Sequence, residues 1–171
     1  MGDSLITIVA IFLAAILMFV FPLSAIAEMN DSEALALVQS YTTEFVEKIR
    51  STGKITLDNY NDFLIKLNST GNSYKVDFEL QISDVNPGKK DTTQTIGDTV
   101  YYSVFTSQVE TALNKNDNKY VLKEGDFVCV KVKNTNTTFS QMIKNVLYSI
   151  TGSESYVISA QASGVVVVTG Y

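Results

Sequence analysis

Residues 5–27 read LITIVAIFLAAILMFVFPLSAIA and carry no charged side chain. At about 1.5 Å of rise per residue this stretch reaches roughly 34 Å as a helix, against about 30 Å for the hydrocarbon core of a bilayer. It can cross a membrane, and the rest of the chain is read as a domain that such a helix carries. Two fates are open to it. Ala25-Ile26-Ala27, just after Pro22, has the small-x-small form of a signal-peptidase site and would make Glu28 the first mature residue. The residues before the run contain no Lys or Arg, and the run is long for the apolar part of a secretory signal. Retention is therefore the expectation, and cleavage between Ala27 and Glu28 the alternative. A retained helix would present Leu5, Ile8, Ile11, Phe12, Ile16, Phe19 and Phe21 to lipid or to sister helices, with Pro22 marking a kink. The first basic residue after the run is Lys48. Orientation then rests on the terminal amine: N-terminus inside, the large acidic domain outside.

Setting the run aside leaves about 140 residues, enough for one domain with a real core. The chain has 13 Lys and Arg against 18 Asp and Glu, a net charge of -5, and no basic stripe. Nucleic-acid phosphates need clustered cations, so the composition argues against a nucleic-acid partner and none is expected. There is no histidine, which removes the commonest general base and metal ligand. The one cysteine, Cys129, rules out a disulfide framework within the chain.

Beyond residue 30 the hydrophobic period changes along the chain. Leu35, Val38, Tyr41, Phe45 and Ile49 recur every three or four residues, which predicts an amphipathic helix ending at Thr52-Gly53, with Ser32 as a candidate N-cap. Little between the apolar run and this segment breaks a helix except Pro22, so one helix from about residue 5 to residue 51 is physically reasonable. A short helix opening at Thr56 carries Tyr60, Phe63, Leu64 and Leu67 on one side and ends at Ser69-Thr70-Gly71. Tyr74, Val76, Phe78, Leu80 and Ile82 then alternate with polar residues, a strand with one dry face. Turns are expected at Asn86-Pro87-Gly88 and Gly97-Asp98 around a polar loop, residues 89–95, and at residues 114–118. A helix is expected over residues 102–113, although Thr99-Val100-Tyr101-Tyr102 alone would suit a strand. Short strands at residues 120–122 and 127–133 are expected to pair through Lys123-Glu124-Gly125-Asp126. Val128, Val130 and Val132 should face inward and Lys131 and Lys133 outward. A helix from about residue 138 to Thr151-Gly152 would place Phe139, Ile143, Val146 and Ile150 on its dry side. The last β-rich run, residues 156–168, contains Ala160, Ala162 and Gly164, small enough to let another element approach closely.

Little here supports catalysis. Asp58 with Asp62, or Asp77 with Glu79, are the available carboxylate pairs, and both fall on wet faces where charges are ordinarily just solvated. Residues 114–118 have the composition of a calcium loop without its pattern. Cys129 shares a face with Lys131 and Lys133, which leaves two readings: a partly exposed thiol with a favoured thiolate, or a small apolar filler under a covering helix. Asn30, Asn68 and Asn136 head glycosylation sequons. No catalytic residue, cofactor or metal is expected, and the chain is read as a non-enzyme.

An apolar segment running into an amphipathic helix, with a Pro two-thirds along it and a sheet domain beyond, resembles a type IV pilin or pseudopilin. The run FVEKIRSTGKITLDNYNDFLIKLNSTGNSYKVDFEL, residues 45–80, is similar to TadE-like and related pilin-like proteins of Gram-positive bacteria. The residues that carry the likeness are Ile49, Arg50, Thr52, Gly53, Ile55 and Thr56 at a helix end, Tyr60 and Phe63 in a short helix, and Thr70, Gly71, Tyr74 and Val76 at a strand entry. The resemblance implies an α+β fold with a long N-terminal helix packed on a small, antiparallel sheet. Three regions follow from this reading: a membrane and assembly segment over 1–27, its amphipathic continuation over 28–53, and a globular α+β domain over 54–171. The implied function is a structural subunit, major or minor, of a surface filament or pseudopilus, held in the cytoplasmic membrane before assembly. Its partners would be copies of itself and other pilin-like subunits. The alternative is a secreted or tethered extracytoplasmic binding domain released after Ala27.

Overall fold

A computed structural model describes residues 2–83, 101–115, 118–148 and 158–171. The expected turns at residues 86–88 and 97–98, the loop between them, the helix stop at Thr151-Gly152 and the first residues of the late β run lie outside these. The chain divides into two compact units, Met1–Ala34 with Thr137–Val157, and Leu35–Asn136 with Ile158–Tyr171.

Helix α1, Gly2–Thr52, is unbroken and contains Pro22. Ser32 is therefore not a cap: with helical residues on both sides, its hydroxyl donates to the Glu28 carbonyl at 2.8 Å. The helix stops where the sequence says it should. Gly53 takes φ +64° and its N–H returns to the Ile49 carbonyl at 2.8 Å, a left-handed cap that glycine adopts without strain.

In the second unit, α1 from Leu35 onward packs on an antiparallel sheet. Strands β2 (Tyr74–Ser83), β3 (Tyr101–Phe105), β5 (Phe127–Asn134) and β6 (Ser159–Val165) lie in the order β3-β2-β5-β6. The inner face buries Val76, Phe78, Leu80 and Ile82 of β2, Val104 of β3, Val128, Val130 and Val132 of β5, and Ala160 of β6. Val38, Thr42, Phe45, Val46 and Ile49 of α1 are buried with them. Helix α2 (Leu57–Asn68) starts at Thr56, whose hydroxyl accepts from the Asn59 N–H, and buries Phe63 and Leu67. Phe45 is the joint between these layers: its ring stacks on Phe63 at 4.3 Å and meets Phe78 edge-on at 6.1 Å.

Two further expected features are corrected. Residues 102–113 do not form one helix: β3 occupies the first part, and α3 (Thr106–Lys115) follows, burying Val109 and Leu113. Val104 opposite Leu80 extends the sheet ladder, and the Thr106 hydroxyl takes the Phe78 N–H at 2.7 Å where strand becomes helix. Nor do residues 120–122 pair with β5. Strand β4 (Lys119–Val121) pairs with β1 (Lys54–Thr56), a strand missed in the sequence, while β5 lies between β2 and β6. Buried Asp126 explains the change of direction. Its carboxylate accepts the N–H of Lys123 at 2.7 Å and of Ser83 at 3.0 Å, closing the turn and fastening it to the end of β2.

The small residues of β6 do what their size suggests. Gly164 lies so close to Arg50 that an added Cβ would sit 2.5 Å from Nε, and that Nε–H donates to the Val165 carbonyl at 2.8 Å. Gln39 similarly donates to the Gln161 carbonyl at 3.2 Å. Two side chains of α1 thus satisfy carbonyls on the outer edge of β6, an edge that would otherwise invite another strand.

Candidate functional site

The apolar run forms the first half of α1. Every described side chain from Ser4 to Phe19 is exposed, among them Leu5, Ile8, Ile11, Phe12 and Ile16, and so are Phe21 and Pro22. Phe12 is 68% exposed and Phe19 73%. Each large apolar side chain taken out of water contributes about 1.5–3 kcal/mol, so covering the whole stretch is worth on the order of tens of kcal/mol. A monomer in water does not ordinarily leave so large an apolar surface uncovered. Helix α1 is long and apolar enough to cross a membrane.

At the end of the run, Ala25 is exposed and Ala27 is buried, both inside the helix. The next turn meets helix α4, Phe139–Tyr148, in the same compact unit. Glu28 pairs with Lys144 at 3.2 Å. Buried Asp31 accepts the Thr138 hydroxyl at 2.7 Å. Glu28, Asp31, Ser32, Ser140 and Lys144 line a small polar cavity of about 110 Å³. The Ser140 hydroxyl is buried there with no hydrogen-bond partner.

Helix α4 corrects the expected dry face. Among its described side chains, residues 139–145, Ser140 and Gln141 are buried, while Phe139 is 51% and Met142 49% exposed and Ile143 is half-buried. The polar side is turned in because it finds partners there: the Gln141 side chain accepts the Thr138 N–H at 2.8 Å, and Thr138 reaches Asp31. The side chains of Val146 and Ile150 lie outside the description. No periodicity of apolar residues could have revealed an inverted helix, although Ser140, Gln141 and Lys144 do fall together on one side of it.

The carboxylate pairs lie on exposed surfaces. Asp58 and Asp62 are exposed on α2. Asp77 pairs with Lys75 at 3.0 Å and Glu79 with Lys131 at 2.9 Å on the outer face of the sheet. The hydrogen bond that the exposed Lys131 ammonium donates to Glu79 raises its pKa. Cys129 is buried on that outer face, with the Gln161 amide 3.4 Å from its sulfur. Burial pushes its thiol up, so the favoured-thiolate reading fails. The Tyr60 hydroxyl donates to Glu110 at 3.3 Å; burial first, then the Glu110 charge, pushes it up to about 12. Among the described residues no group of three His, Cys, Asp or Glu could hold a metal. Asn30 and Asn68 are exposed, whereas the Asn136 side chain is tied to Asn72 and to the Ser73 N–H.

Fold and site together define an α+β protein with an N-terminal helix that can cross a membrane and an antiparallel sheet packed on the helix's second half. No family model, curated protein or solved structure matches the chain.

Proposed function

We propose that the chain is a non-enzymatic, pilin-like structural subunit of a surface filament or pseudopilus. It is inserted in the cytoplasmic membrane with its N-terminus inside and assembles through residues 5–27. The observation that carries this reading is the contrast within α1: one half buried against its own sheet, the other exposed along its length. An apolar rod leaving lipid must enter another apolar environment, and neighbouring copies of the same rod supply one. A contact that repeats head-to-tail without closing into a ring yields a filament. The likeness to type IV pilins and TadE-like proteins over residues 45–80 agrees with this assignment. Nucleic acid, cofactors and metals play no part in it.

The test is to shear surface fibres from cells that make the protein, image them, and sequence the N-terminus of their main component. Fibres whose subunits retain residues 5–27 are expected. Water-soluble monomers beginning at Glu28 would overturn the filament and establish the alternative, a released binding domain. Ala25-Ile26-Ala27 is the feature that favours that second reading.

A further inference from the structure

Over its described side chains, residues 139–145, helix α4 is turned inside out. Its serine and glutamine are buried, Phe139 and Met142 stand outward, and half-buried Ile143 flanks Phe139 on the side away from Met142. At 100° per residue these three positions span less than half a turn, a compact apolar stripe opposite Ser140 and Gln141.

Where α4 sits says what covers that stripe. Its anchors on α1 are Glu28 and Asp31, the first and fourth residues after the apolar run. At about 1.5 Å of rise per residue they lie about 1.5 and 6 Å beyond its end. The headgroup layer on each side of a bilayer is about 5–7 Å thick, so both anchors fall within it. The direction of α4 agrees. Thr138, before its first turn, is held at Asp31, and Lys144, further along, is held at Glu28. The helix therefore descends toward the apolar run as it proceeds.

We propose that α4 is a membrane foot: its Phe139–Met142–Ile143 stripe lies at the boundary between headgroups and acyl chains of the bilayer that α1 crosses. This rests on the reading of residues 5–27 as membrane-inserted. An interfacial helix needs an apolar face toward the acyl chains and polar groups on its other side, and α4 supplies both, its polar side held by Glu28 and Asp31 of α1. The foot fixes the height and tilt of α1 at the surface before assembly, and its stripe becomes uncovered when the subunit leaves the bilayer.

The test uses the full chain with Cys129→Ser, reconstituted in vesicles of equal parts phosphatidylcholine and phosphatidylglycerol. Single cysteines at Met142→Cys, Phe139→Cys, Ile16→Cys and Asp58→Cys each carry an environment-sensitive fluorophore, with circular dichroism confirming that each variant is folded. Nitroxide lipids labelled near the headgroup or near the chain end act as quenchers. Reporters at 139 and 142 are expected to shift to the blue and to be quenched several-fold better by the shallow nitroxide than by the deep one. The reporter at 16 should show the reverse preference, and that at 58 no quenching. Water-like emission at 139 and 142 with deep quenching at 16 would overturn the foot while leaving the membrane helix standing. No quenching at 16 would overturn the inserted helix, and the foot with it. A blue shift at 142 that grows with protein density and ignores both nitroxides would overturn the foot in favour of a second copy.

Discussion

Gly53 and Gly164 show how differently two glycines can matter. A Cβ on Gly53 would stand 2.2 Å from the Val168 carbonyl oxygen and 2.3 Å from the Gly170 nitrogen, both backbone, at a left-handed φ. Left-handed strain alone costs about 1–2 kcal/mol, and the C-terminal tail must also move, so Gly53→Ala is expected to lose about 2–4 kcal/mol in urea unfolding. The tail has little freedom to give way, because Val167 bonds the Arg50 carbonyl and Gly170 the Leu122 carbonyl. A Cβ on Gly164 meets only the Arg50 side chain, which can swing aside and lose its bond to Val165. Gly164→Ala should cost about 1 kcal/mol, the usual net worth of one hydrogen bond. Tyr60 gives a pH test. Its folded-state pKa of about 12 lies above the unfolded value of 10, so the fold favours the neutral phenol. That contribution is complete below pH 10 and is lost as pH rises from 10 through 12. Tyr60→Phe should flatten the fall in unfolding free energy over that window, and the late phenolate absorbance near 295 nm should go with it.

At the scale of elements, α1 has two halves that mutation should separate. Phe45 links α1, α2 and β2 through its contacts with Phe63 and Phe78, so Phe45→Ala is expected to cost about 3–5 kcal/mol of stability. Phe12, exposed, should cost less than about 0.5 kcal/mol when replaced by Ala, measured by denaturant unfolding in detergent. Equal losses at the two sites would mean that the first half of α1 packs on protein. The same contrast explains what could be read from sequence at this scale. β2 was legible because one face is dry and the other wet, which forces period two. The segment 101–115 was not, because β3 is a short edge strand whose side chains stay exposed, apart from Val104, and leave no alternation to find. β1 and β4 are three residues each and, among the described residues, pair with one another alone, too short for any period.

For the whole molecule, the reading of residues 5–27 as an anchor has a direct consequence. The full chain should stay with membranes through alkaline carbonate washing, whereas a chain beginning at Glu28 should partition into the soluble fraction with its circular dichroism spectrum of a mixed α+β protein preserved. The second result is expected because the sheet and its covering helices belong to the unit formed by Leu35–Asn136 and Ile158–Tyr171. The candidate site was half legible. The apolar run announced itself by composition, but its continuation into α4 through Glu28 and Asp31 joins positions more than a hundred residues apart, which no local pattern encodes.

The sequence alone determined the apolar rod, the extent of the helix that follows it, the Gly53 stop and the two alternating strands β2 and β5, because each is set by local composition or by the period with which one face meets a core. The tertiary structure decided strand order, the diversion of β4 to β1, the burial of Cys129 on the outer face and the inversion of α4. These depend on which distant partner satisfies a buried hydrogen-bonding group: Asp126 with Ser83, Thr106 with Phe78, Thr138 with Asp31. Buried polar groups are costly without partners, and the fold is arranged around supplying them.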